Sequence, residues 1–201
     1  MRLIRLARFA VLAAVAFGAA PRPAAADFLI EPFFAWSRNP PQSSVDVAQW
    51  HGGGGLTVDW TIGPLIVGAE TGYASGFFDP PQTSFDLIQT SHLLTVSGHA
   101  GITRPWASET RLYPYGTAGL GLLRQQARDR DGFIDVTRND LALNFGGGLR
   151  WMVTDFIGIR GDARYFRDLK QPYDQPSDLV SHLDPLAFWR LSIGAVIRFG
   201  D

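Results

Sequence analysis

The sequence predicts an all-β chain, an eight-stranded antiparallel transmembrane barrel preceded by a cleaved signal peptide. Three observations predict this. Apolar and polar residues alternate in eight segments, each close to the roughly 10 residues of a tilted membrane-crossing strand. The connections between these segments are alternately short and long. After residue 26, no apolar run reaches the roughly 20 residues that a membrane-spanning helix needs.

The first 26 residues have the layout of a secretory signal peptide. Three arginines precede the apolar stretch Phe9–Ala20, and a Pro/Ala segment then ends in three alanines. A membrane anchor, the alternative, needs a longer apolar stretch. We therefore expect a signal peptide at 1–26, export through the Sec pathway and a barrel domain at 27–201. Cleavage removes four arginines and no acid, so it changes the formal net charge from −1 to −5.

The composition excludes several classes of protein. The chain has 201 residues, 46% hydrophobic, and no cysteine, so it is neither a disordered chain nor a disulfide or thiolate-metal protein. Its near-neutral charge argues against a nucleic-acid partner. We expect no metal and no cofactor, because the four histidines are scattered and the run Gly52–Gly55 lacks the Lys-Ser/Thr of a phosphate loop.

Alternation is clearest in the last predicted strand, Trp189–Phe199, where one face is Trp, Leu, Ile, Ala, Ile, Phe and the other mostly polar. The predicted strands are 28–36, 56–62, 65–74, 92–102, 112–122, 141–151, 157–165 and 189–199. The strand at 112–122 allows two registers, since either Leu112 and Pro114 or Tyr113 and Tyr115 suit the outer face.

The connections indicate which end of the barrel is which. They are short at 63–64, 103–110 and 153–155 and long at 37–51, 75–90, 125–139 and 167–186. Outer-membrane barrels have short periplasmic turns and long extracellular loops. Aromatic residues near the strand ends are predicted to lie at the membrane interface: Trp36, Trp60, Trp151, Tyr165, Trp189 and Phe199.

Charged residues occupy the inward positions of the predicted strands. An eight-stranded barrel is just wide enough to be filled by its own side chains. We hypothesise an ion-pair network across the lumen, in which acids come mainly from the first three strands and arginines from the last three. The alternative is a solvated inner wall. The predicted members are Glu31, Asp59, Glu70, His99, Arg150, Arg160, Asp162, Arg164, Arg190 and Arg198.

The order of Gly- and aromatic-rich segments resembles a known family. Residues Asn144–Phe166, Tyr115–Leu122 and the last strand are similar to strands of small outer-membrane barrels, the OmpA-like and opacity-type proteins. The sequence departs from this family at one point. The family usually ends on the aromatic residue of the last strand, whereas here Gly200 and Asp201 follow Phe199. The resemblance implies a monomeric, non-enzymatic barrel in the outer membrane with a structural or surface-exposed role. Implied partners are outer-membrane lipids, lipopolysaccharide, periplasmic chaperones and the barrel-assembly machinery.

Two alternatives for the function remain open, a small porin-like channel and a lipid A-modifying enzyme. Ser97 and His99 share one strand face and Glu70 lies on the preceding strand, so a triad-like cluster is conceivable. In the predicted register, however, all three point into the lumen, away from lipid substrates.

Two connections are candidates for recognition. Arg124, Arg128, Arg130 and Arg138 near the third long connection are candidates for binding lipopolysaccharide phosphates, or form a solvated charge run together with neighbouring aspartates. The fourth long connection is acidic and rich in proline, and is a candidate for adhesion or ligand recognition.

Overall fold

Eight antiparallel strands form a closed barrel in the computed structural model, with each strand paired to its neighbours in the chain and β1 paired to β8. The structure describes residues 26–38, 50–76, 88–105, 110–129, 135–169 and 186–200. The strands are β1 (Ala26–Arg38), β2 (Trp50–Ile62), β3 (Leu65–Ser75), β4 (Ile88–Thr103), β5 (Leu112–Asp129), β6 (Asp135–Met152), β7 (Ile157–Asp168) and β8 (Ala187–Phe199). The predicted fold class is confirmed.

Alternation of side chains between the two faces of each strand explains the fold. Along β7, buried and less buried residues alternate over twelve positions, as the sequence predicts for a strand with one face toward the lumen. Large apolar side chains cover the outer face, including Phe34, Leu120 and Ile193. In water such a surface would be unstable, whereas in a bilayer it faces lipid.

Short turns join β2 to β3 and β6 to β7 at one end of the barrel, called the turn end below. The first of these is Gly63-Pro64, in which Gly63 has a φ of 58° that suits glycine. We call the opposite end, where β1 and β7 finish, the loop end. Within the described residues there is no helix, and hence none of the length and apolarity that a bilayer-crossing helix requires.

The prediction for the third long connection was wrong. Residues 125–139 do not form a loop throughout, because β5 and β6 remain paired as far as Arg128 opposite Asp135. Near the tip of this β5–β6 hairpin, polar residues interrupt the apolar alternation that predicts a strand, although the backbone pairing continues there. The second strand starts at Trp50 and contains the four-glycine run, in agreement with the predicted long connection that ends at residue 51.

The register of β5 follows the first of the two predicted options. Tyr115 and Thr117 are buried on the inner face, whereas Leu120 and Leu122 are exposed on the outer face. Much of the second and fourth long connections, including the acidic Pro-rich segment, lies outside the described residues, and so do residues 1–25 of the predicted signal peptide.

Candidate functional site

The middle of the lumen contains a layer of buried charged side chains. Nine of the ten residues predicted for the network contact one another there, and all nine are less than a tenth exposed. They come from seven strands and carry four carboxylates, four guanidinium groups and one imidazole. They are Glu31, Asp59, Glu70, His99, Arg150, Arg160, Asp162, Arg164 and Arg190.

Glu31 on β1 joins two arginines from the other half of the barrel. Arg160 Nη1 donates to Glu31 Oε2 across 2.6 Å, and Arg150 Nε lies 2.7 Å from Glu31 Oε1. Arg150 also donates to Asp59 on β2. Glu31, Asp59 and Arg160 are almost entirely removed from solvent, so each depends on these partners to offset the cost of burying its charge.

Glu70 on β3 is the second centre of the layer. It pairs with Arg190, lies 3.2 Å from Arg164 Nη1, and accepts a 3.1 Å hydrogen bond from the hydroxyl of Thr57. On β7, Asp162 accepts hydrogen bonds from Tyr115 (2.8 Å) and from Ser192 (2.6 Å). Tyr115, Thr57 and Ser192 were not among the predicted site residues, although each lies at an inward position of a predicted strand or its extension.

Aromatic rings contact the guanidinium groups of the charged layer. The guanidinium groups of Arg160 and Arg190 lie 5.0 and 4.9 Å from the ring centre of Phe33, and Arg150 lies 4.3 Å from that of Tyr115. Cation–π contacts of this kind are strongest where water is excluded. They give the arginines apolar neighbours without leaving the charge unpaired.

Arg198, the tenth predicted residue, lies apart at the turn end. Its Nε is 3.7 Å from Asp27 Oδ2, and its guanidinium lies 5.4 Å from the ring centre of Tyr113. Its side chain is also more exposed than those of the nine. The structure therefore places Arg198 at the mouth of the barrel, with Asp27 as its acidic partner.

Apolar side chains pack in the lumen on both sides of the charged layer. Toward the turn end, Leu29, Met152 and Val196 pack together with Tyr113. Toward the loop end a larger cluster includes Phe166 and Phe188, whose rings are stacked with centres 4.9 Å apart. This second cluster was not predicted, since one predicted strand ends at Tyr165 and the next begins at Trp189.

Two small spaces lie among the lumen residues that the structure describes. A cavity of about 90 Å³ lies at the turn end beside Arg198, and a space of about 10 Å³ lies near Phe188. The first is large enough for a few water molecules and the second for about one. Neither volume accommodates a drug-sized ligand, for which pockets of roughly 300 Å³ or more are usual.

The proposed triad residues do not form a triad. His99 Nε2 is 2.7 Å from Asp59 Oδ1, and Glu70 is bound by Arg164, Arg190 and Thr57 rather than by His99. Ser97 is buried in the lumen, and its Oγ has no hydrogen-bond partner within the described part of the chain. The described residues also contain no group of three or more His, Asp and Glu side chains suited to a metal ion.

The predicted interface aromatics lie on the outer wall near the two ends of the barrel. Trp36 and Trp189 are near the loop end, whereas Trp60, Trp151 and Phe199 are near the turn end, and each is about half exposed. Tyr165 is partly buried between the rings of Phe145 and Trp189, at centre distances of 5.4 and 5.2 Å.

This fold defines the chain as a small membrane β-barrel. Residues 9–199 match the family described as outer membrane protein beta-barrel domain. The chain belongs to this family, and its location is the outer membrane. No curated protein sequence matches the chain.

Solved structures of outer-membrane proteins share the fold. Neisserial surface protein A has a TM-score of 0.65 at 17% identity, over 86% of this chain and 97% of that one. The attachment invasion locus protein Ail of Yersinia pestis, crystallised with the heparin analogue sucrose octasulfate, has a TM-score of 0.57 at 20% identity, over 87% and 99%. A major outer membrane protein from Thermus thermophilus has a TM-score of 0.59 at 16% identity, over 87% and 99%.

Proposed function

We propose that the protein is a non-enzymatic outer-membrane barrel whose lumen is closed by its own side chains, and that its role is structural or surface-exposed. The observation that carries this proposal is the sequence of layers inside the barrel. A charged layer lies between two apolar clusters, and Phe166 and Phe188 are each only about 1% exposed. An ion would have to displace paired charges and packed rings to cross.

The enzyme alternative is disfavoured by the surroundings of the candidate residues. His99 and Ser97 lie inside the barrel and are at most 5% exposed, while lipid substrates contact the outer wall. A general base must reach the group from which it takes a proton. Residues 1–26 are proposed as a Sec signal peptide, and assembly by periplasmic chaperones and the barrel-assembly machinery belongs to the same proposal.

Single-channel recording tests the closed lumen. The refolded barrel is added to a planar lipid bilayer, with a sixteen-stranded porin as the positive control for insertion and detection. We expect no discrete conductance steps from this protein. Regular steps would overturn the proposal and support the porin-like alternative.

Mass spectrometry of lipid A tests the enzyme alternative. Lipid A is extracted from cells that express the wild type and from cells that express His99→Gln. We expect identical spectra, equal to those of cells without the protein. A mass change that requires His99 would overturn the non-enzymatic role.

A further inference from the structure

Charge is distributed unevenly on the lipid-facing wall of the barrel. Arg38, Arg124 and Arg167 are the charged residues at outward positions of the strands, as far as side chains are described, and all three are exposed. The strand carboxylates with described side chains all lie at inward positions. They are Asp27, Glu31, Asp59, Glu70, Asp140, Asp162 and Asp168. Among the side chains that the structure describes, the outer wall is therefore basic wherever it is charged.

Within its own strand, each of these arginines comes directly after the last apolar side chain of the outer face, although Leu169 is exposed again just beyond β7. Side chains two residues apart in a strand lie on the same face. Arg124 directly follows Leu122 on the outer face, Arg38 follows Trp36, and Arg167 follows Tyr165. In all three strands the arginine lies on the loop-end side of the apolar residue. The loop end faces the outside of the cell when short turns are periplasmic. At this depth a bilayer changes from acyl chains to headgroups.

On the outer face, the change from apolar to polar side chains toward the loop end is most complete across β3 to β6. Strand register places Tyr73, Leu94, Arg124 and Asn139 in one row across these four strands. The next row toward the turn end consists of Thr71, Val96, Leu122 and Leu141, and the next row toward the loop end consists of Ser75, His92, Gln126 and Thr137. We call Tyr73, His92, Arg124 and Asn139 the Arg124 surface.

A hydrogen bond fixes the imidazole in this surface. The Tyr73 hydroxyl lies 2.6 Å from His92 Nδ1, and the two rings stack with centres 5.4 Å apart. With the phenol as donor, Nε2 carries the ring hydrogen and is itself a donor. His92 is a diagonal neighbour of Arg124 in the register, at about 7–8 Å between backbones, within reach of a long side chain.

The other arginines near this loop end have different environments. Arg138 points inward and pairs with Asp140 and, across 2.9 Å, with Asp168. The Arg128 side chain and Arg130 lie outside what the structure describes. Of the four arginines that the sequence singled out for phosphate binding, Arg124 is therefore the one that the structure places on the outer wall.

We propose that the Arg124 surface binds a phosphate group of the glycolipid in the outer leaflet of the outer membrane. Arginine offers paired donors that match a phosphate, His92 and Asn139 add donors, and no described carboxylate competes on this face. The apolar row below it contacts the acyl chains of the same lipid. This proposal goes beyond the closed lumen, since it concerns the outer wall alone.

Thermal stability in lipids of defined composition tests the proposal. The barrel is refolded into phosphatidylcholine nanodiscs that contain increasing fractions of bisphosphorylated lipid A, lipid A stripped of phosphate, or phosphatidylglycerol. The midpoint of heat-induced mobility change on a detergent gel then gives an apparent affinity for each lipid. We expect bisphosphorylated lipid A alone to raise the midpoint clearly, and Arg124→Gln to weaken that affinity about fivefold.

Arg111→Gln is the matched control, because Arg111 is an exposed arginine near the turn end. This variant should keep the wild-type affinity. Equal affinities of wild type and Arg124→Gln would overturn the site. An equal response to phosphate-free lipid A would overturn the phosphate as the bound group, and an equal response to phosphatidylglycerol would overturn the glycolipid as its source. None of these outcomes changes the conductance expected of the barrel.

Discussion

Tyr115 and Asp162 meet across a 2.8 Å hydrogen bond although their strands are not neighbours. Gly148 on β6 pairs directly with both residues, and a Cβ atom there would come within 2.6 Å of the Asp162 Cβ. Asp59 and His99 are related in the same way through Gly68. Inward glycines thus leave room for side chains two strands apart to form contacts inside a narrow barrel.

Replacing Gly148 with alanine is expected to destabilise the barrel by about 1–3 kcal/mol, because the added methyl group overpacks the lumen beside Asp162. Urea unfolding in detergent micelles measures the change. Gly116→Ala is the control, since the nearest atom to a Cβ at this outward glycine is 3.8 Å away. Equal stability of the two variants would contradict this account of the glycines.

Removing the Arg160 guanidinium with Arg160→Met is expected to cost on the order of 3 kcal/mol, because Glu31 loses a 2.6 Å partner in a buried site. The same unfolding assay applies. Arg111→Gln breaks an exposed ion pair with Asp155 and should cost less than about 1 kcal/mol. Adding Glu31→Gln to Arg160→Met should recover part of the loss. Unchanged unfolding of the single variant would argue against a stabilising network.

Truncating Phe188 to alanine is expected to cost about 3–5 kcal/mol, because the ring is buried and stacks on Phe166. The midpoint of the heat-induced gel shift reports the loss. Phe156→Ala provides the comparison, since Phe156 is 61% exposed in the turn between β6 and β7. A Phe188 variant as stable as the Phe156 variant would show that the loop-end cluster contributes little.

Trp60 and Trp189 are expected to lie at the depth of the lipid headgroups, one near each end of the barrel. Variants that keep a single tryptophan are placed in vesicles whose lipids carry bromine at defined positions on the acyl chain. Bromine close to the headgroup should quench each fluorescence more than bromine at the chain end. Stronger quenching from the chain end would contradict the interface position.

Alternation within each strand made the strand number, order and inward faces predictable. A side chain's face depends on its own strand, so local sequence is enough. Contacts across the lumen depend on the stagger of distant strands, and Glu31 and Arg160 are 129 residues apart. The alternation along each strand and the positions of the charged residues therefore predicted which residues face inward. Which of these residues pair with each other could be determined only from the register of the strands.

The loop-end apolar cluster was less predictable for a related reason. Phe166 and Phe188 lie at alternate positions that face inward along their strands, but they lie just beyond the predicted strand ends. The same effect hid the long β5–β6 hairpin, since polar residues continue the pairing without the apolar signal. Elements that leave the bilayer lose the alternation that lipid imposes.

The placement of the charges has a consequence for the order of events in biogenesis. Glu31, Asp59 and Glu70 lie on β1 to β3, whereas Arg150, Arg160 and Arg190 lie on β6 to β8. A half-assembled sheet would hold three carboxylates without these cations, and exposing that face to hydrocarbon is costly. We therefore expect these carboxylates to gain their arginine partners only when β6 to β8 close the barrel against β1.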